Sequence, residues 1–131
     1  MFRVRPWWLA WVGRGRWVTV YPHIYHPKDV RPELWPDVVA HERVHLAQQK
    51  GRLVRWLVRY ALSRAFRLRQ EAEGVAAEVA AVGPLNAEWV RRFYARELAG
   101  FPYLWAASSR QVAREAILRA ESRASSDCCA G

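Results

Sequence analysis

The stretch Pro36-Asp37-Val38-Val39-Ala40-His41-Glu42-Arg43-Val44-His45-Leu46-Ala47-Gln48-Gln49 carries its own helix signals and, inside them, a chemical pattern. Pro36 suits the first turn of a helix, where its missing N–H loses nothing, and Asp37 places negative charge at the positive end of the helix dipole. Gly51, two residues past Gln49, is a natural C-terminal stop. Between these signals, residues 41–45 read H-E-x-x-H. On a helix, positions i and i+4 lie one turn apart on the same face, so two imidazoles can reach one ion. Val38, Val39, Val44 and Leu46 surround the motif and predict a helix buried on one side. Two histidines and a carboxylate in such a place need a partner, and a metal provides one.

The ion that this pattern predicts is Zn2+, held by His41 and His45, with Glu42 as the general base that takes a proton from zinc-bound water. Catalytic zinc ordinarily has three protein ligands and an open position. No histidine follows His45, so the third ligand is sought among carboxylates of a later helix. Glu71 shares a stripe with Leu68, Ala72, Val75, Val79 and Val82, the inward face of a pattern running from about Phe66 to Val82. Glu73 is the alternative ligand, turned toward Ala77 and Ala80, and Glu78 lies two turns further along the stripe. Gln48, near the second histidine, is a candidate to hydrogen-bond the motif helix or the metal site. The basic positions Arg64 and Arg67 offer a plainer role for Glu71, as an ion-pair partner.

The segment from Val18 to Glu78 resembles the gluzincin branch of zinc peptidases, in particular minimal single-domain gluzincin-like proteins. The likeness consists of a short strand (Val18 to Tyr25), a proline-rich loop, Val39-Ala40-His41-Glu42-Arg43-Val44-His45-Leu46-Ala47-Gln48, a helical spacer and Gln70-Glu71-Ala72-Glu73. The resemblance implies hydrolysis of peptide bonds, Glu42 as base, Glu71 as third ligand and a glutamine at the position of Gln48. It also implies a peptide or protein substrate added as a strand along the edge containing Val18 and Val20. Gly74 stands where alanine is usual, and Val75 where an acidic residue often supports the site. Tyr60, Tyr94, Tyr103, His23 and His26 are the candidates for the group that steadies the oxyanion.

The chain has 131 residues, with 52% hydrophobic and 25% charged residues, the composition of one globular domain. The fold class expected is α+β and mostly helical: a small N-terminal sheet of two or three strands followed by about five helices, with the metal between the motif helix and the glutamate helix. Trp17 to Tyr21 reads as a strand, and Trp8 to Val12 as its hairpin mate across Gly13-Arg14-Gly15-Arg16. Helices are expected at about 52–65, 66–82, 87–98 and 108–123. A single domain spans 1–126, and 127–131 read as a disordered tail. Asp127, Cys128 and Cys129 carry zinc-binding side chains and are a candidate plug for the site.

With 21 Lys and Arg against 12 Asp and Glu, the net charge is +9, which favours contact with polyanions or a membrane surface. The rival reading is a non-catalytic basic binding protein, for nucleic acid or an anionic membrane, with structural or no metal; Trp7, Trp8 and Trp11 are its candidate interfacial set. No element shaped for a nucleic-acid groove is recognisable. Trp56, Trp89 and Trp105 sit in apolar company and are expected in or near the core. Trp7 to Val12 and Leu53 to Leu62 are too short or too interrupted by arginine to span a membrane, and no convincing signal peptide is seen, so a cytoplasmic or otherwise soluble protein is expected.

Overall fold

The computed structural model describes residues 1–12 and 15–129. Three short strands come first: β1 (Phe2–Val4), β2 (Val18–Val20) and β3 (His23–His26), in the order β1-β3-β2, with β1 parallel and β2 antiparallel to β3. Five helices follow: α1 (Pro36–Gln49), α2 (Leu53–Leu62), α3 (Arg64–Val82), α4 (Pro84–Leu98) and α5 (Arg110–Cys129). This is the mostly helical α+β architecture expected, with different edges.

The hairpin mate of β2 is β3, joined through Tyr21-Pro22, and not Trp8 to Val12, which winds as a 3-10 helix (Trp7–Val12). Of the expected turn at 13–16, Gly13 and Arg14 lie outside the described residues. The third strand is β1, whose register pairs Phe2 with Ile24 and Val4 with His26. Ile24 is fully buried in the central strand, and Thr19 sits opposite it on β2.

Both ends of α1 follow the expected signals: Pro36 and Asp37 open it, and Gly51 takes φ +74 just beyond its C-cap. The boundary between α2 and α3 falls earlier than the apolar pattern suggests. Ser63 breaks the chain there, and its Oγ accepts a hydrogen bond from Phe66 N (3.2 Å) as the N-cap of α3. Likewise α4 opens at Pro84 after Gly83, because proline at the first helical position needs no N–H partner.

The core lies among α3, α4 and α5. Ala72, Val75 and Val79 of α3 meet Val90 and Leu98 of α4 and Ala113, Ile117 and Ala120 of α5. The alanines allow close helix approach, and Val75 is fully buried, so that position serves packing and not the support of a metal. Two carboxylate–guanidinium pairs fasten α4 to α5: Arg91–Glu121 (2.6 and 2.9 Å) and Arg114–Glu88 (2.8 and 3.1 Å). The expected disordered tail is corrected: α5 runs on through Asp127 to Cys129, exposed on all sides from Ser122 onward, while residues 130–131 lie outside the described part. Cys128 and Cys129 are exposed free thiols on that helix and do not fold back as a plug.

Two aromatic expectations also change. Trp56 is buried, but Trp89 and Trp105 are 66% and 52% exposed, and so belong to the surface. Trp7 and Trp8 are exposed as well, while the side chain of Trp11 lies outside the described residues.

Candidate metal centre

The buried face of α1 is polar. Val39 is its one apolar member; the others are His41, Glu42, His45, Gln48 and Gln49. This face packs along α3, which presents Glu71 and Glu78 from its own buried side. Helical spacing alone brings His41 and His45 together, and the α1–α3 contact adds Glu71.

The three donor atoms form a near-regular triangle. His41 Nε2 lies 3.1 Å from His45 Nε2, and Glu71 Oε2 lies 3.4 and 3.5 Å from them. His41, His45 and Glu71 are a group that could hold a metal ion, all three buried. Glu73, the alternative ligand, points elsewhere and accepts from Gln48 Nε2 at 2.8 Å.

The surrounding hydrogen bonds fix which nitrogen of each imidazole faces the triangle. Gln48 Nε2 donates to two acceptors, Gln70 O (3.2 Å) and Glu73 Oε2 (2.8 Å), so its carbonyl oxygen must be the atom facing His45 Nδ1 at 2.9 Å. His45 Nδ1 therefore carries the proton. His41 Nδ1 faces the Glu78 carboxylate at 3.1 Å and donates to it. Both Nε2 lone pairs are thereby turned on each other and on Glu71 Oε2, an arrangement that only a shared cation or protons can hold. Glu71 Oε1 accepts from Tyr60 OH at 2.5 Å, which orients the carboxylate.

Charge leads to the same conclusion. Glu42, Glu71 and Glu78 are all buried within one site. Burial disfavours the His41 imidazolium, but hydrogen bonds to Glu71 and Glu78 and the charge of Glu42 outweigh it and raise its pKa to about 10. His45 is raised too, against burial, by the charge and hydrogen bond of Glu71. Burial pushes Glu71 up, but His45 and His41 overcome this and hold it below the usual carboxylate range. The metal-free site thus draws in protons as its positive charge.

Linkage gives the sign. The His41 contribution is present below its ordinary 6.5 and is lost as pH rises through about 10. The Glu71 contribution is present above its ordinary 4.5 and is lost on acidification. In excess chelator, the protein is therefore expected to be most stable near pH 5–6 and to weaken on the alkaline side. Urea midpoints across that range check this; a midpoint that climbs steadily to pH 9 would contradict the proton-filled site.

Glu42 sits beside the triangle on α1, and Thr19 of β2 positions it: Thr19 Oγ1 donates to Glu42 Oε2 at 2.6 Å. Among the described residues no hydrogen bond engages Oε1. The candidate oxyanion groups separate. Tyr60 is bound to Glu71, and Tyr94 stacks on the His41 ring (centroids 5.4 Å apart). Burial raises Tyr103 well above its ordinary value, with the charge of Glu71 adding and that of Arg16 opposing. His23 and His26 stand on β3, where His26 Nδ1 contacts Pro27 O.

Val18 and Val20 lie on β2, an edge of the sheet. Gln49, fully buried, covers that edge: its Nε2 donates to Thr19 O (3.0 Å) and its Oε1 accepts from Tyr21 N (2.8 Å). A peptide adding to the edge there has to displace the Gln49 amide.

Sequence reasoning missed Thr19, Gln49 and the role of Gly74. It noted Glu78 only as lying further along the Glu71 stripe, and the structure uses it to hold His41. A β-carbon at Gly74 would lie 2.7 Å from Cδ2 and Nε2 of His41, so glycine is what lets the α3 backbone pass the ring. Comparison with family models, curated proteins and solved structures finds no match for this chain.

Proposed function

We propose that the protein is a zinc-dependent peptidase in which His41, His45 and Glu71 hold the metal and Glu42 is the general base. The observation that carries this reading is the donor triangle with a positioned carboxylate beside it. For zinc at ~2.0–2.1 Å from each ligand, a tetrahedral site has edges of about 3.3–3.4 Å. The sides of 3.1, 3.4 and 3.5 Å fit one face of that figure. Two neutral imidazoles and one carboxylate are a donor set suited to zinc, and three ligands leave the fourth position open.

Bound there, zinc supplies a Lewis acid that polarises a carbonyl and acidifies water. The remaining work falls to the chain. Thr19 holds Oε2 of Glu42 and leaves Oε1 to accept the proton of the attacking water, which Glu42 then delivers to the leaving amine. Glu78 and Gln48 keep both imidazoles in the tautomer that presents Nε2. Tyr60 is committed to Glu71, which leaves Tyr94 and Tyr103 as the groups proposed to meet the developing negative charge.

Metal analysis of the purified protein beside His41→Ala and Glu71→Ala tests the ligand set. Wild type is expected to carry about one zinc per chain and both variants to lose it. Zinc retained by Glu71→Ala would refute the triangle. Cleavage of a denatured protein substrate, restored to the chelated enzyme by zinc, tests the activity.

Gln48→Leu isolates the tautomer argument. The ligands remain, but nothing accepts from His45 Nδ1, and zinc affinity is expected to fall about 10- to 100-fold. Competition with a chelating dye measures it; unchanged affinity would mean that the imidazole is not held through Gln48.

A further inference from the structure

The helix α2 is packed on one face only. Trp56 and Tyr60 point inward, where Trp56 Nε1 donates to Gln70 Oε1 (2.8 Å) and Tyr60 reaches Glu71. The outward arc holds Val54, Leu57, Val58, Ala61 and Leu62, spaced as one helical stripe and all exposed, from 40% at Leu57 to 82% at Leu62.

The stripe continues onto a second element. Arg67 donates to the carbonyls of Tyr60 and Ala61 at the end of α2 and to those of Tyr103 and Leu104, and Arg64 donates to Trp105 O. These bonds fasten the turn at residues 101–105 beside the C-terminal end of α2. There Phe101, Leu104 and Trp105 are all more than half exposed. Leu104 and Trp105 both take positive φ (51° and 48°), a conformation disfavoured for large side chains. A strained backbone that holds two bulky apolar side chains in water is fitted to present them.

Cationic groups border the stripe. Arg52, Arg55 and Arg59 run along α2 beside it and, with Arg69 and Arg123, line a groove of about 570 Å3. Among the described residues none of these five is paired with a carboxylate. Arg52 Nε binds Gln48 O, and Arg59 and Arg69 lie over the Phe66 ring. Glu73, the acidic residue of the groove, is already engaged by Gln48.

From this juxtaposition we propose that α2 and the Phe101–Trp105 turn form a docking face for an anionic phospholipid surface. The aliphatic stripe enters the headgroup and acyl boundary, and the arginine groove takes the phosphate groups. Exposed apolar side chains flanked by cations with long flexible stems are the pattern of an interfacial helix. A second copy of the chain is disfavoured as occupant, because it would bring the arginine rows together. Nucleic acid would leave the aliphatic stripe without use. No described helix is long and apolar enough to cross a membrane, so the contact is with the surface.

Flotation with vesicles of phosphatidylcholine, alone or with phosphatidylglycerol as a third of the lipid, tests the face in full-length zinc-loaded protein. Binding is expected to the anionic vesicles and not to the neutral ones. Val58→Ser with Leu62→Ser leaves net charge unchanged and is expected to lower partitioning about tenfold or more. Arg55→Glu with Arg59→Glu is expected to abolish it, while Arg31→Glu with Arg110→Glu, the same charge change elsewhere, is expected to preserve most of it. Zinc content and thermal melts confirm that each variant is folded. Full binding by the serine variant, or equal loss in both charge variants, would reduce the effect to bulk adsorption of a cationic protein and overturn the proposal. Failure of wild type to bind anionic vesicles would overturn it outright.

Discussion

Glu42→Gln is expected to lower peptide hydrolysis by about a thousandfold while zinc content stays unchanged. The substitution keeps the shape of the side chain. Thr19 Oγ1, which now donates to Oε2 at 2.6 Å, finds a carbonyl oxygen there after substitution, so the group stays in place. What changes is the other terminus. An amide nitrogen carries protons and cannot accept one from water. Because Glu42 is not one of the three donors, ligation survives. Turnover near the wild-type rate would remove Glu42 from the reaction, and a variant without zinc would place it in the ligand set instead. Thr19→Val is the weaker companion: the base remains but loses its tether, and the rate should fall while zinc again stays.

Gly74→Ala is expected to lower zinc affinity on the order of 100-fold. On helix propensity alone the change favours α3 by about 1 kcal/mol, so the expected direction runs against the usual effect of this substitution. The reason is the 2.7 Å approach of the added carbon to the His41 ring. The ring has little room to yield, since Nδ1 is bound to Glu78 and Tyr94 stacks against it. It must turn, and Nε2 leaves the triangle. Dye competition for zinc and a melt in chelator separate the two consequences: affinity falls, while the metal-free protein changes little. A variant with full affinity would show that the ring slips aside freely.

How much of this was legible from residues alone follows from what kind of signal each part leaves. The motif helix announced itself through Pro36, Asp37 and Gly51, and His41, Glu42 and His45 through their spacing. Glu71 could be found because it breaks an otherwise apolar stripe on α3. Glu78 interrupts the same stripe, but nothing in spacing tells a group that orients an imidazole from one that ligates. Gln48 was marked by its place three residues past His45, whereas Thr19 and Gln49 are ordinary polar residues whose roles exist only once β2 and α1 are side by side. β1 escaped notice because three residues are too few for alternation to register. The outward face of α2 was not legible for a related reason: an apolar stripe at helical spacing reports that a helix is amphipathic, and not which side meets the protein.

The polar inner face of α1 has a consequence for descent. A relative that lost one of the proposed donors by a single substitution would still carry buried carboxylates and imidazoles, with only protons left to neutralise them. To become a stable inert homologue it would have to exchange His41, His45, Glu71 and Glu78 for space-filling aliphatics almost together. Each single step on that route leaves part of the polar cluster without its partners, so on the proposed reading the construction of the interior itself resists loss of the metal site.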